Sequence, residues 1–297
     1  MFNVKAWAMQ IRAPFLVLTP ISVLMGVSVA VWEGYSINAV YLTLAFIGAL
    51  LAHIAVNVIN EYFDYKSGVD FKTVRTPFSG GSGILVQGLL SPRSVYLLGI
   101  FCILGIVAIG AYFISVYGAL IIPLGVLGII TVYFYTTHIA KSPFLCAIAP
   151  GLGFGPLMVM GTYFVLTGGY SLAAGLVSLV PAFLVSNLLL INQFPDVEAD
   201  RTAQRRHLPI VIGRKRSALV YTAFIIAAYI ALIIAVATEV LPYWALLALV
   251  TVPLAYAVIK GANEHYDQIE KLVPTLGRNV VLTLVLPLLI AIGVFIG

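Results

Sequence analysis

The sequence predicts an all-α, polytopic membrane protein with about nine transmembrane helices in one bundle. Three observations carry this. The 297 residues are 62% hydrophobic and only 9% charged, with a mean hydropathy of +1.08, whereas an average soluble domain is about a quarter charged. Nine apolar segments are long enough to cross roughly 30 Å of hydrocarbon. All 16 Lys and Arg fall in alternate connections between those segments. The positive-inside rule then puts the N-terminus and the long loops in the cytoplasm and the C-terminus outside.

The segments run near 14–32, 38–59, 94–114, 118–136, 143–166, 171–191, 217–238, 242–259 and 279–296. Several are interrupted by Pro or Gly, which membrane helices tolerate. The first is read as a span and not as a signal peptide, although Ser28-Val29-Ala30 loosely resembles a cleavage site, because it is long for a signal core. Lys5 and Arg12 precede it. Lys66, Lys72, Arg75 and Arg93 follow the second segment, and Lys141 follows the fourth. Arg201, Arg205, Arg206, Arg214, Lys215 and Arg216 follow the sixth, and Lys260, Lys271 and Arg278 follow the eighth. The connections near 33–37, 115–117, 167–170 and 239–241 hold no base. Topology therefore accounts for the net charge of +5, which in a soluble chain would suggest nucleic acid; no nucleic-acid partner is expected, and the lipid bilayer is. Cys102 and Cys146 both lie in apolar stretches at a spacing that suits neither a metal nor a disulfide framework, and read as small core residues.

The acids are as one-sided as the bases, with only Glu33 and Glu239 on the outer side. The positive-inside rule does not require this, so the inner face has a use for carboxylates. Segment two runs into Asn60-Glu61-Tyr62-Phe63-Asp64 and then Asp70. Segment six runs into Asn192-Gln193-Phe194-Pro195-Asp196 and then Asp200. The match reads as a diverged repeat, spans 1–4 echoed by spans 5–8 with a ninth at the end, within one domain covering 1–297. Asn60 and Asp64 share a helix face, with His53 and Asn57 upstream on it, and Asn192, Asp196 and Asp200 form a second row at i, i+4, i+8. Asp70 follows Gly68, where the helix is expected to fray. Facing rows of carboxylates and amide oxygens make a hard-oxygen set suited to Mg²⁺, which completes its shell with water and substrate phosphate. The bases beside the motifs, with Arg201, Arg205 and Arg206 after the second, fit a polyanionic ligand, and Arg12, Lys72, Arg75, Lys141 and Arg201 are the candidate cations for a diphosphate. Arg214, Lys215, Arg216, Lys260 and Lys271 read as topology anchors. The stretch Thr76-Pro77-Phe78-Ser79-Gly80-Gly81-Ser82-Gly83 lacks a P-loop ending; a flap over the inner site and a plain connector are both open readings.

At these residues the chain resembles the UbiA superfamily of intramembrane prenyltransferases, which carries two Asp-rich motifs after its second and sixth of nine helices. Arg12-Ala13-Pro14, Tyr133-Phe134-Tyr135 leading to Lys141, and Gly161-Thr162-Tyr163 add to the likeness. Two features depart from the commonest pattern: Glu61 replaces Asp, and five residues separate Asp64 from Asp70. The longer gap is similar to the branch that prenylates dihydroxynaphthoate in menaquinone synthesis. The resemblance implies transfer of a prenyl group from an isoprenyl diphosphate to a small aromatic acceptor, with Mg²⁺ as cofactor and the site on the cytoplasmic side of the cell membrane. It also implies catalytic roles for Asn60, Asp64, Asn192, Asp196 and Asp200, with Asp70 among the metal ligands. Asn57, Tyr62, Tyr135 and Tyr163 are candidates for lining the pocket where the allylic cation meets the acceptor. His53 reads as a satisfied intramembrane polar residue and His207 as an uninformative loop residue. A glycerol-phosphate acceptor is the alternative within the family. A cation-coupled transporter is the rival class, but it would hold its site near the midplane. A CDP-alcohol phosphotransferase would need a denser Asp-rich run that is absent.

Overall fold

A computed structural model describes residues 3–73, 75–202 and 205–297. Among them every regular element is helical. The helices are α1 (Val4–Gln10), α2 (Leu18–Trp32), α3 (Ala39–Ser67), α4 (Pro92–Tyr117), α5 (Ile122–Phe134), α6 (Pro143–Leu152), α7 (Gly161–Thr167), α8 (Leu172–Thr202), α9 (Leu208–Val211), α10 (Arg214–Ala237), α11 (Val252–His265) and α12 (Ile269–Ile296). Among the described residues, eight continuous helical stretches are long and apolar enough to cross a membrane. One of them, Pro92–Phe134, has 43 residues, or about 65 Å of helix, twice the hydrocarbon thickness. It folds back at Gly118, whose φ of 74° and ψ of −157° suit glycine alone. The Tyr96 and Tyr133 hydroxyls, near the start of α4 and the end of α5, meet at 3.1 Å. The two helices are therefore antiparallel, and the stretch makes two crossings.

Local chemistry sets the helix ends that matter. Asn38 caps α3 by accepting from the Val40 and Tyr41 amides, and Gly68 ends it with φ 82°. Asp64 therefore sits in the last helical turn, and Asp70 lies just beyond it in a 3₁₀ turn, Val69–Phe71. Helix α8 contains Pro181 and Pro195 yet runs unbroken through Asn192, Asp196 and Asp200. Its neighbour is α6, continued to α7 through a π-helical stretch, Gly153–Met160. Gly151 and Gly155 let this span touch the α8 backbone: a Cβ on Gly151 would lie 1.9 Å from the Ala182 carbonyl oxygen. Helix α3 joins the same assembly through α2 and α7, which brings the two acidic rows to one end of the bundle.

The opposite end is marked by other contacts. Trp32, which closes α2, donates its indole N–H to the Val240 carbonyl at 3.3 Å, and Gly297 lies against Pro242 and Trp32. A reporter fused after Gly297 is expected on the side of the membrane opposite to one inserted between residues 68 and 91. Protease or alkylation access in sealed vesicles checks this, and finding both on one side would break the crossing order.

Candidate active site

Two adjoining hollows meet at the end that carries the acids. The larger is an apolar cavity of about 500 Å³ whose lining runs from Asn60 and Asn192 down to Leu44, Phe113 and Ile121. Sixteen residues of α3 separate Leu44 from Asn60, so the cavity is about 24 Å deep. The smaller hollow, about 110 Å³, is polar and lined by Asp64, Asp70, Asp196, Asp200, Arg205 and His207 among others. Arg12, Asn60, Phe78, Tyr135, Leu189 and Asn192 line both, so the polar chamber caps the mouth of the apolar one.

The carboxylates are tied by two arginines. Arg205 pairs through Nη2 with Asp64 and through Nη1 with Asp200 at 2.9 Å, so one guanidinium spans the two acidic rows. The other oxygen of Asp200 meets His207 Nε2 at 2.8 Å, and both side chains are buried. Arg12 adopts left-handed backbone geometry with φ 55°, uncommon for a residue with a side chain and frequent at functional sites. The turn after α1 thereby aims its guanidinium at Glu61 Oε1, with Nε at 3.2 Å and Nη2 at 3.0 Å. The same Glu61 accepts from the Ser82 amide at 2.6 Å and the Ser82 hydroxyl at 2.7 Å. Glu61 thus anchors both Arg12 and the Gly/Ser-rich loop. That loop reaches over the chamber, with Phe78, Ser79, Gly80 and Gly81 in its wall.

The chamber is short of positive charge. Burial pushes the Asp70 carboxyl up to about 7, and the charges of Asp64 and Glu61 reinforce the effect. Asn192 Oδ1 and Asp196 Oδ1 are buried without a hydrogen-bond partner, and orphaned acceptors of this kind are costly. Among the described residues no three His, Cys, Asp or Glu side chains gather into a protein-only metal cage. The donors are all hard oxygens split between two helices, which fits Mg²⁺, an ion that keeps waters and takes only one or two carboxylates alongside substrate phosphate.

The residues singled out from the sequence fall into three groups. Asn60, Asp64, Asp70, Asn192, Asp196, Asp200, Arg12 and Tyr135 meet at the polar chamber. Asn57 lines the apolar cavity, its amide donating to the Ile11 carbonyl at 3.0 Å. The third group lies elsewhere. Arg201 is exposed and pairs with Glu198 at 3.6 Å. Lys72 and Lys141 are exposed. Arg75 is also exposed and donates to the Asp70 carbonyl at 3.2 Å. Tyr62 packs against Phe63 and Tyr96 under Lys66, away from both hollows. Tyr163 sits at the far end of the bundle, where its hydroxyl donates to Glu33; that position does not agree with a place in the cation pocket. His207, read from the sequence as uninformative, is instead buried against Asp200. Arg205 occupies the position in the site expected of Arg201.

The description "UbiA prenyltransferase family" belongs to the family model that matches residues 19–292. The chain is similar to the 1,4-dihydroxy-2-naphthoate octaprenyltransferase of Bacillus subtilis, at 27% identity over 81% of this chain and 76% of that protein. It is similar to the enzyme of the same name from Escherichia coli at 25%, over 99% and 96%. Among solved structures it resembles a UbiA homologue from Aeropyrum pernix, with TM-score 0.67 at 18% identity over 94% and 97% of the two chains. It also resembles a UbiA homologue from Archaeoglobus fulgidus bound to DMAPP and Mg²⁺, with TM-score 0.60 at 14% identity over 96% and 99%.

Proposed function

The chain belongs to the UbiA prenyltransferase family and is a prenyltransferase, and from that premise we propose that it transfers a prenyl group from an isoprenyl diphosphate to a hydroxylated naphthoate with Mg²⁺ as cofactor. One observation carries the reading: a carboxylate-lined polar chamber opens directly onto an apolar cavity about 24 Å deep. A prenyl diphosphate has the same division, an anionic head and a long apolar tail. The naphthoate is favoured by the two similar enzymes named for that acceptor and by the five-residue gap between Asp64 and Asp70.

In this reading Asn60, Asp64 and Asp70 from one row and Asn192, Asp196 and Asp200 from the other would hold the cation. Bound Mg²⁺ would neutralise the diphosphate as it departs. Arg12 and Arg205 face the oxygens left over and supply charge-assisted hydrogen bonds. The bond between the allylic carbon and the diphosphate oxygen breaks, and its electron pair leaves with the diphosphate. An electron-rich ring carbon of the acceptor then attacks the allylic cation, and a proton or CO₂ is lost. Tyr135, at the junction of the two hollows, offers a π face to the cation. Phe78 and the loop anchored by Glu61 exclude water that would quench it. The chamber faces the cytoplasm in this reading, because the bases all flank that end.

Purified protein supplied with geranylgeranyl diphosphate, Mg²⁺ and each acceptor in turn tests the proposal by product mass. Prenylated naphthoate is expected. Turnover of glycerol phosphate without turnover of the naphthoate would refute the acceptor assignment and leave the metal and fold assignments standing.

A further inference from the structure

His53 lies seven residues before Asn60 on the same face of α3, about 10 Å deeper in the bundle. Its side chain lines the cavity, which at this depth is otherwise walled by residues such as Ala49, Ala52, Val56 and Phe154. The ring is held rigidly. Nδ1 shares a hydrogen bond of 2.9 Å with Thr19 Oγ1, a buried hydroxyl on α2. The Phe154 ring packs edge-on at 4.6 Å between centroids, with an interplanar angle of 83°. Among the described residues the bond to Thr19 is the one hydrogen bond recorded for the ring, and Nε2 is not among the sealed, unpartnered polar atoms of the core. The sequence suggests a satisfied core histidine, and only half of that description holds. A polar side chain at membrane depth is costly, and a donor or acceptor left unpaired there adds to that cost.

The substrates narrow what can meet Nε2. A prenyl chain carries no polar atom. The diphosphate belongs at the chamber, about two helical turns above. The remaining oxygen-bearing partner is the acceptor, whose reactive carbon must lie close to the allylic carbon at the mouth, with the rest of its ring system directed into the cavity. If the Thr19 hydroxyl donates to Nδ1, then Nε2 carries a proton and donates; with the roles reversed, Nε2 accepts. A ring hydroxyl, which both donates and accepts, pairs with either form. We propose that His53 is an acceptor-binding residue that hydrogen-bonds a ring hydroxyl of the aromatic acceptor and orients the ring for attack, with Thr19 and Phe154 holding the imidazole in place.

The proposal rests on the prenyl-transfer reading, and the experiment separates the two. Steady-state kinetics are measured for wild type, His53→Leu, His53→Gln and Thr19→Val, varying the naphthoate at saturating geranylgeranyl diphosphate and then the reverse. Wild-type turnover of the naphthoate tests the reading of function; the variants test His53. His53→Leu is expected to raise the acceptor KM about tenfold, the scale of one hydrogen bond, and to leave the donor KM within about twofold. His53→Gln, which keeps a polar terminus, should recover part of the loss. Thr19→Val, which keeps the imidazole but frees it to rotate, should give a smaller rise in the same parameter. An unchanged acceptor KM in His53→Leu and His53→Gln overturns the proposal. So does an equal rise in both KM values, which marks a packing role along the donor chain.

Discussion

Asp64→Ala and Asp196→Ala are each expected to lower turnover by about 10³-fold or more, with the protein still folded. A metal-held leaving group contributes several kcal/mol to the transition state, and about 4 kcal/mol corresponds to three orders of magnitude. The fold should survive because the apolar core packs the helices together and neither side chain is part of it. Asp196 has an unpartnered buried oxygen, and removing Asp64 leaves Arg205 its second partner, Asp200. Melting in detergent is the control and should change little. Chelating Mg²⁺ should silence the wild type to the same degree, with activity returning on addition of the ion. Near-normal rates in both alanine variants would exclude the two-row cation site.

Arg205→Ala should have the second-largest effect, a fall of about 10²-fold, comparable to losing one donor aimed at developing negative charge. This guanidinium is the direct link between the rows, touching Asp64 from α3 and Asp200 from α8. Its removal leaves buried Asp64 without its ion-pair partner and Asp200 with His207 alone, so the variant should need more Mg²⁺ for half-maximal activity and bind diphosphate donors less tightly. Arg205→Lys keeps the charge but not the fork that reaches both rows, and should recover only part of the rate. Titrating Mg²⁺ and donor separately checks both effects. Unchanged rate and donor KM in Arg205→Ala would remove Arg205 from the site. Arg201→Ala is the matched comparison: exposed and paired only with Glu198, it should be close to wild type.

Much of this molecule is legible along the chain because membrane helices obey simple periodicities. Apolar length and the alternation of bases specify the crossings. The 3.6-residue period places Asn60 with Asp64, and Asn192 with Asp196 and Asp200, on single faces. The same arithmetic separates Tyr62 from that face, since it lies two residues from both Asn60 and Asp64. It also puts Tyr163 twenty residues beyond Pro143, about 30 Å along the span and at the wrong end. Both tyrosines were candidates only through resemblance, and helical geometry read from the sequence already weighs against them.

Other features depend on contacts between distant segments, where periodicity carries no information. Arg201 adjoins Asp200 in sequence, but on a continuing helix neighbours point about 100° apart. Arg205 lies past the helix end, and only the tertiary structure shows its guanidinium on Asp64, 141 residues away in sequence. Glu61 reads only as a departure from the commonest motif until Arg12 and Ser82 are found bound to it. His53 looks satisfied until its recorded hydrogen bond is found at one nitrogen only, with the side chain in the cavity wall. The sequence by itself determined the spans, their alternation and the two acidic rows, because each depends on residues within a few helical turns. Which cations serve those rows, which loop covers them and which polar atoms remain unpaired were decided only by tertiary packing, because those pairings join segments whose separation in the chain bears no relation to their separation in space.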